Sequence, residues 1–387
     1  LDFKEMQNCI LCNSNSRSSL PYIRLRQAVY PFVTKIKSLS GIRSLREQYN
    51  QLCSMCYLVG TLEWCEEGFI YRTFRDKGYS IVFLPAMDKL EVLDTFKRKY
   101  IATLLNNADR HSNVRSRPKM DKTEQTPGDY STLLCFYEKF LNYCCLEDEE
   151  KRSWMRTDLI KRETCRDWLR LKVPHGQVKN IKVGILSVRD DILGVAFELI
   201  KKDVLLYENL IAKALFLRKT SKGVAIDFNI TNELRESLSK SFITGDFYLF
   251  SHCFLPRKQG KIILSGVEKD IMDKVIIEWR LKRMGLSLED LVTVKSVGNI
   301  IAETAIKSIS LLYKIDRTRS LDEFWNVLRE ISRKMVGLDE DVKKKIKPSS
   351  VDDLIQLIKK DEHNWTEVKN LLVTYSCMYY SIKTREG

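Results

Sequence analysis

Apolar residues recur at spacings of three and four over residues 24–37 and 44–62, the pattern of helices with one buried face. The period then changes. Phe69 to Phe74 and Tyr79 to Leu84 are β-rich runs joined by Arg75-Asp76-Lys77-Gly78, where Gly78 supplies a positive φ and Pro85 ends the second strand. This predicts a hairpin near residues 69–84 within a helical arm, residues 1–105. Asn106 to Asp129 is almost devoid of apolar residues, so residues 106–129 are expected to form a mobile loop. The helical pattern resumes over Tyr130 to Leu171 and carries Lys151, Arg152, Trp154, Arg156, Lys161, Arg162, Arg166, Trp168 and Arg170. Residues 130–179 therefore read as a basic helical linker, with Pro174 and Gly176 as a hinge.

Residues 180–285 change character again. Lys182 to Val188 and Leu193 to Ile200 flank Arg189-Asp190-Asp191 as a predicted hairpin, and Val204 to Lys219 fits either helix or strand. Val224, Ile226, Phe228 and Ile230 alternate with Ala225, Asp227, Asn229 and Thr231, which predicts a strand. A helix follows from near Thr231 or Asn232 to Phe242, and Gly245 ends it. Asp246 to Pro256 then reads as a strand, Arg257-Lys258-Gln259-Gly260 as a turn, and Lys261 to Ser265 as a returning strand. Residues 286–387 are helical, with capping spacing at Ser287/Asp290, Ser320/Glu323 and Ser350/Asp353 and stops at Gly285, Gly337 and Pro348. The expected fold class is α+β: a mostly helical chain with a small mixed or antiparallel sheet domain flanked by helical segments.

Charge adds a partner class. Lys and Arg number 65 against 51 Asp and Glu, a net charge of +14 that favours polyanions, nucleic acid above all. No apolar run approaches the roughly 20 residues needed to span a bilayer, so no membrane partner is expected. Eleven cysteines without a secretory leader point to reduced thiols inside a cell. The chain begins at Leu1 without an initiator methionine or targeting segment, which reads as a piece of a longer polypeptide.

Catalytic signatures are missing: the chain holds no His-Glu-x-x-His, nucleophile elbow or Walker loop, and Glu198 with Lys201 is a commonplace surface spacing. No catalytic residue is assigned. Cys9-x-x-Cys12 and Cys53-x-x-Cys56 have zinc-knuckle spacing, yet Cys53 and Cys56 lie beside Leu52, Met55, Tyr57 and Leu58, where thiols fill cores. Structural zinc and buried free thiols both stay open, and no other cofactor is expected.

The segment Asp246 to Pro256 carries the best functional clue. As an extended strand it would point Tyr248, Phe250, His252 and Phe254 to one face, either the buried side of a sheet or a base-stacking surface. A methylated guanine needs aromatic faces, an acid for its donor edge and bases for its phosphates. Tyr248, His252 and Phe254 offer rings, Asp227 and Asp246 carboxylates, and Arg257, Lys258 and Lys261 phosphate contacts. The predicted nucleotide site is Tyr248, His252, Phe254, Asp227, Arg257 and Lys258. Lys151 to Lys172 and Lys343 to Lys347 support a second expectation, an RNA-binding scaffold without base recognition. A self-assembling viral nucleoprotein is a third.

The layout of helical arm, α+β block and helical tail, with the character of Gly223 to Gly266, resembles the C-terminal region of an arenavirus L protein. More narrowly it resembles the reptile-infecting (reptarenavirus-like) branch. The resemblance implies a cap-binding-like domain related in fold to that of the influenza polymerase. It also implies a parent RNA-dependent RNA polymerase whose transcription is primed by capped host fragments, with its active sites upstream of this segment. Partners would be RNA, its 7-methylguanosine cap, the rest of the polymerase and the viral nucleoprotein, in host cytoplasm and virion.

Overall fold

A computed structural model of the protein describes residues 23–24, 51–52, 70–74, 78–85, 127–146, 167–174, 182–221, 223–257, 260–265, 267, 270–337 and 349–384. The chain divides into two units, Leu1–Arg115 with Leu146–Val188, and Ser116–Cys145 with Arg189–Gly387.

In the first unit, β1 (Ile70–Phe74), β2 (Tyr79–Pro85), β3 (Asp167–Pro174) and β4 (Lys182–Ser187) form an antiparallel sheet in chain order. Ile23–Arg24 and Gln51–Leu52 form a separate short ladder. The expected hairpin is present: Phe74 pairs with Tyr79, and Gly78 has φ 68°. β3 corrects the helical reading of the basic linker. Leu169, Leu171 and Val173 alternate with Arg170 and Lys172, so the run also carries strand period, and pairing with β2 on one side and β4 on the other selects it. Ile81 and Phe83, two residues apart on β2, are buried, as are Trp168 and Leu186, which face each other across β3 and β4.

The second unit begins with α1 (Asp129–Leu146) and α2 (Asp190–Ile200). The hairpin predicted across residues 182–200 is a strand followed by a helix. Ile192, Val195, Ala196, Leu199 and Ile200 are buried at helical spacing, a period that an alternating strand would split between two faces. After a π-helical turn, Leu206–Ile211, come β5 (Ala214–Thr220), β6 (Gly223–Ile226), α3 (Phe228–Thr244), α4 (Phe247–Cys253) and β7 (Gly260–Leu264). The three strands form an antiparallel sheet in the order β6-β5-β7.

The predicted strand through Ile230 ends at Ile226. The Asp227 carboxylate accepts a hydrogen bond from Ile230 N at 3.2 Å, so Asp227 caps α3 and starts it earlier than Thr231. Gly245 closes it with φ 68°. On α3, Glu236 is half-buried and serves another helix: its carboxylate accepts from Tyr130 N at 2.7 Å and Ser131 N at 3.1 Å, backbone donors in the first turn of α1.

Helices complete the unit: α5 (residues 271–284, π-helical over Ile277–Leu281), α6 (Leu288–Lys307), α7 (Ser310–Arg317), α8 (Leu321–Met335), α9 (Ser349–Lys360) and α10 (Trp365–Lys383). Ser287 and Asp290 form the expected capping box on α6, and Ser320 caps α8 by accepting from Glu323 N. Ser350 does otherwise. It lies inside α9 and shares a hydrogen bond with Ser296 of α6 at 2.8 Å.

The fold is thus α+β and mostly helical, with small antiparallel sheets. Among the described residues, no helix is long and apolar enough to cross a membrane, and no three His, Cys, Asp or Glu side chains gather as metal ligands. Cys9, Cys12, Cys53 and Cys56 lie outside the described residues, as do residues 106–126, Lys343 to Lys347 and most of the basic run from Lys151.

Candidate functional site

The aromatic segment is a helix, which overturns the strand reading and redistributes its rings. Asp246 accepts from Leu249 N at 2.9 Å and caps α4 directly after the Gly245 stop. At helical spacing Phe247, Phe250 and Phe254 turn inward, while Tyr248 and His252, four residues apart, share the outer face. Phe247 and Phe250 pack edge-on to the fully buried Trp279 of α5, at 5.3 and 5.1 Å between ring centres. Phe254 is 3% exposed with its ring against Phe250, so it cannot receive a base.

Tyr248 is 47% exposed, and its ring centre lies 5.7 Å from that of His252. Behind them stand groups from two distant helices. His252 Nδ1 is 3.0 Å from Oδ2 of Asp316, a buried residue near the end of α7. Lys369, on the first turns of α10, is buried and donates to the carbonyls of Asp316 at 3.3 Å and Thr318 at 3.2 Å. Its ammonium thus sits at the negative end of α7. It also lies 5.4 Å from the centre of the Tyr248 ring and 5.8 Å from that of Trp365. Burial lowers the Lys369 pKa, and Asp316 opposes the shift. The Tyr248 phenol is raised, chiefly by burial and then by Asp316.

The rim is basic. Arg257 and Arg317 bear electrostatically on His252, and Arg319 and Arg317 on Tyr248; all three arginines are exposed. Of the predicted residues, Tyr248 and His252 come together; Arg257 bears on His252 electrostatically, and its guanidinium lies 5.8 Å from the centre of the Phe216 ring. Asp227 does not join them: it caps α3 and pairs with Arg218 at 3.5 Å. Lys261 donates to the Thr384 carbonyl at the end of α10. Lys258 lies outside the described residues. Sequence reasoning missed Asp316, Arg317, Arg319, Trp365 and Lys369, and only Lys369 left a signal, a lysine set in the apolar run of α10.

The His252–Asp316 pair makes a pH prediction. The Asp316 hydrogen bond raises the His252 pKa, while burial, Arg257 and Arg317 pull it down. With the folded pKa above the unfolded one, the pair's stabilisation is whole below the usual imidazole value of 6.5 and is lost as pH rises through the folded value. A proton NMR titration should place the His252 midpoint above 6.5, and Asp316→Asn should bring it to 6.5 or below. A midpoint that Asp316→Asn leaves unchanged would rule out the pair.

No protein-family model, no curated protein and no solved structure matches the chain.

Proposed function

We propose that this chain is a non-catalytic RNA-binding module from the C-terminal part of a viral RNA-dependent RNA polymerase, and that the Tyr248–His252 face holds single-stranded RNA without selecting a cap. The arenavirus-type origin and the likeness of residues 180–285 to the influenza cap-binding fold are supported by the order of segments in the sequence. The remaining polymerase and the viral nucleoprotein are the further partners this origin supplies, in host cytoplasm and virion. A single observation carries the RNA reading: two adjacent open rings within electrostatic reach of exposed Arg257, Arg317 and Arg319. Rings stack on any base, and arginines meet phosphates.

The same geometry argues against cap recognition. A 7-methylguanine carries positive charge and is held between two aromatic faces. Here the chain's own Lys369 ammonium lies 5.4 Å from the centre of the Tyr248 ring and 5.8 Å from that of Trp365, so a cationic base stacked on either ring meets a like charge.

The test uses one labelled single-stranded RNA 12-mer, with and without the methylated cap, in fluorescence-anisotropy titrations across salt. Capped and uncapped RNA should bind equally. Tyr248→Ala should weaken both by about 5-fold or more, since a stacked base is worth about 1–3 kcal/mol. Arg317→Ala or Arg319→Ala should lower the salt slope by about one each. Undetectable RNA binding, or full binding by Tyr248→Ala, refutes the assignment. A preference for capped RNA that Tyr248→Ala removes restores the cap reading.

A further inference from the structure

A separate cavity of about 460 Å³ opens between β7, α5, α6 and α10. Its volume falls within the range of small-molecule sites. Phe254, Ile263, Met272 and Met378 supply apolar walls, and the two thioethers can adjust to the outline of an occupant. Three polar side chains from three helices meet at one part of the lining. Asp273 Oδ1 accepts from the Tyr375 hydroxyl at 2.8 Å, and Oδ2 accepts from the Lys295 ammonium. Lys295 also lies 5.7 Å from the centre of the Tyr375 ring.

This group is incompletely used. An ammonium has three donors and each carboxylate oxygen two lone pairs, so after the bonds within the group both Lys295 and Asp273 can still take a partner. Their side chains are 30% and 26% exposed, open enough to be reached. The opposite charges cancel. An anionic head would gain from Lys295 and be repelled by Asp273, and a cationic head would meet the reverse. A neutral head with a donor next to an acceptor satisfies both groups without carrying a net charge into an apolar site.

From this geometry we infer that the cavity is a binding site for a small, neutral, largely apolar molecule bearing an amide-like head. Its carbonyl accepts from Lys295, its N–H donates to Asp273, and its apolar body lies between β7 and α10. The site is independent of the Tyr248 face and of the RNA reading.

Three naphthalenes of one body test it on the full chain: 2-naphthamide, 2-naphthoate and 2-methylnaphthalene. With carbon-13 methionine methyls, the Met272 and Met378 resonances should move on titration and give dissociation constants. Naphthamide should bind about tenfold tighter than methylnaphthalene, the usual gain from a hydrogen bond to a charged group, and tighter than naphthoate. Asp273→Leu and Lys295→Met combined, which remove the acceptor and the donor and leave the cavity open, should bring amide and methyl compounds to within about twofold. Ser381→Leu, which fills the cavity, should abolish binding of all three; if it does not fold, the double variant decides. No movement of either methyl with any probe refutes the site. Tightest binding of naphthoate, or an amide preference that survives the loss of both Asp273 and Lys295, refutes the assigned head.

Discussion

Replacing Trp279 with alanine should destabilise the second unit by about 3–5 kcal/mol, the usual cost of deleting a buried aromatic. Trp279 is 0% exposed at the centre of an aromatic cluster. Phe242 lies 4.9 Å from it at 64°, and Phe247 and Phe250 both stand at 82°, so three ring edges or faces meet one indole. Each such pair is worth about 0.5–1.5 kcal/mol beyond its buried area. These rings join α3, α4 and α5, so the loss also loosens the helix that presents Tyr248 and His252. In a unit of about 230 residues the melting temperature should fall by roughly 10 °C. Trp279→Phe separates ring packing from hydrogen bonding. The indole Nε1 is buried without a hydrogen-bond partner among the described residues, so phenylalanine removes an unpaired donor while keeping most of the ring contact. It should cost less than half as much as alanine. Tyr248→Ala, on the open face, should cost under about 1 kcal/mol. Urea denaturation followed by circular dichroism ranks the three; equal losses for Trp279→Phe and Trp279→Ala would mean that the ring cluster does not hold this core.

The segment 246–256 shows how much of the site was legible in the sequence. Its rings fit two periods at once: Tyr248, Phe250, His252 and Phe254 at spacing two, and Phe247, Phe250 and Phe254 at spacings of three and four. Aromatic content favoured the strand, because such residues fit a pleated surface. Punctuation points the other way. Gly245 is a helix stop and Asp246 a cap, with Leu249 N three residues on as its donor, and that local chemistry outweighs ring propensity. The same cap logic, applied to Ser287/Asp290 and Ser320/Glu323, places two helix starts correctly. It fails at Ser350, whose hydroxyl is engaged by Ser296 on another helix.

Asp316 and Lys369 were illegible for a different reason. Each is one charged residue on its own helix, and only the packing of α7 and α10 against α4 brings them behind Tyr248. No local spacing encodes that meeting. Lys369 was the exception in kind: it follows the buried Val368 and precedes the buried Leu371 and Leu372, and a lysine there must find carbonyls or a carboxylate.

The contact of α6 with α10 carries the second large effect. A side chain begun at Gly298 would place its Cβ 3.0 Å from Cβ of Tyr375 and 3.3 Å from N of Ser376, so the glycine marks a close approach of the two helices. Two effects compete at this position. Alanine gains about 1 kcal/mol of helix propensity over glycine and must displace Tyr375 by a few tenths of an ångström, so Gly298→Ala should fall within about 1 kcal/mol of the parent. Valine gains less propensity and adds two carbons against the backbone of α10, which cannot rotate away as a side chain can. Gly298→Val should therefore cost about 3 kcal/mol, near the upper end for overpacking. Its consequence is local to the apolar cavity, because the residue pushed is Tyr375, which bonds Asp273 there. Naphthamide should lose its advantage over methylnaphthalene in Gly298→Val, while RNA binding at Tyr248 should persist at temperatures where the variant stays folded. Thermal melts and the two titrations measure both halves. A valine variant as stable as the alanine one would show that α6 and α10 do not approach this closely, and would remove the structural basis for the polar end of the cavity.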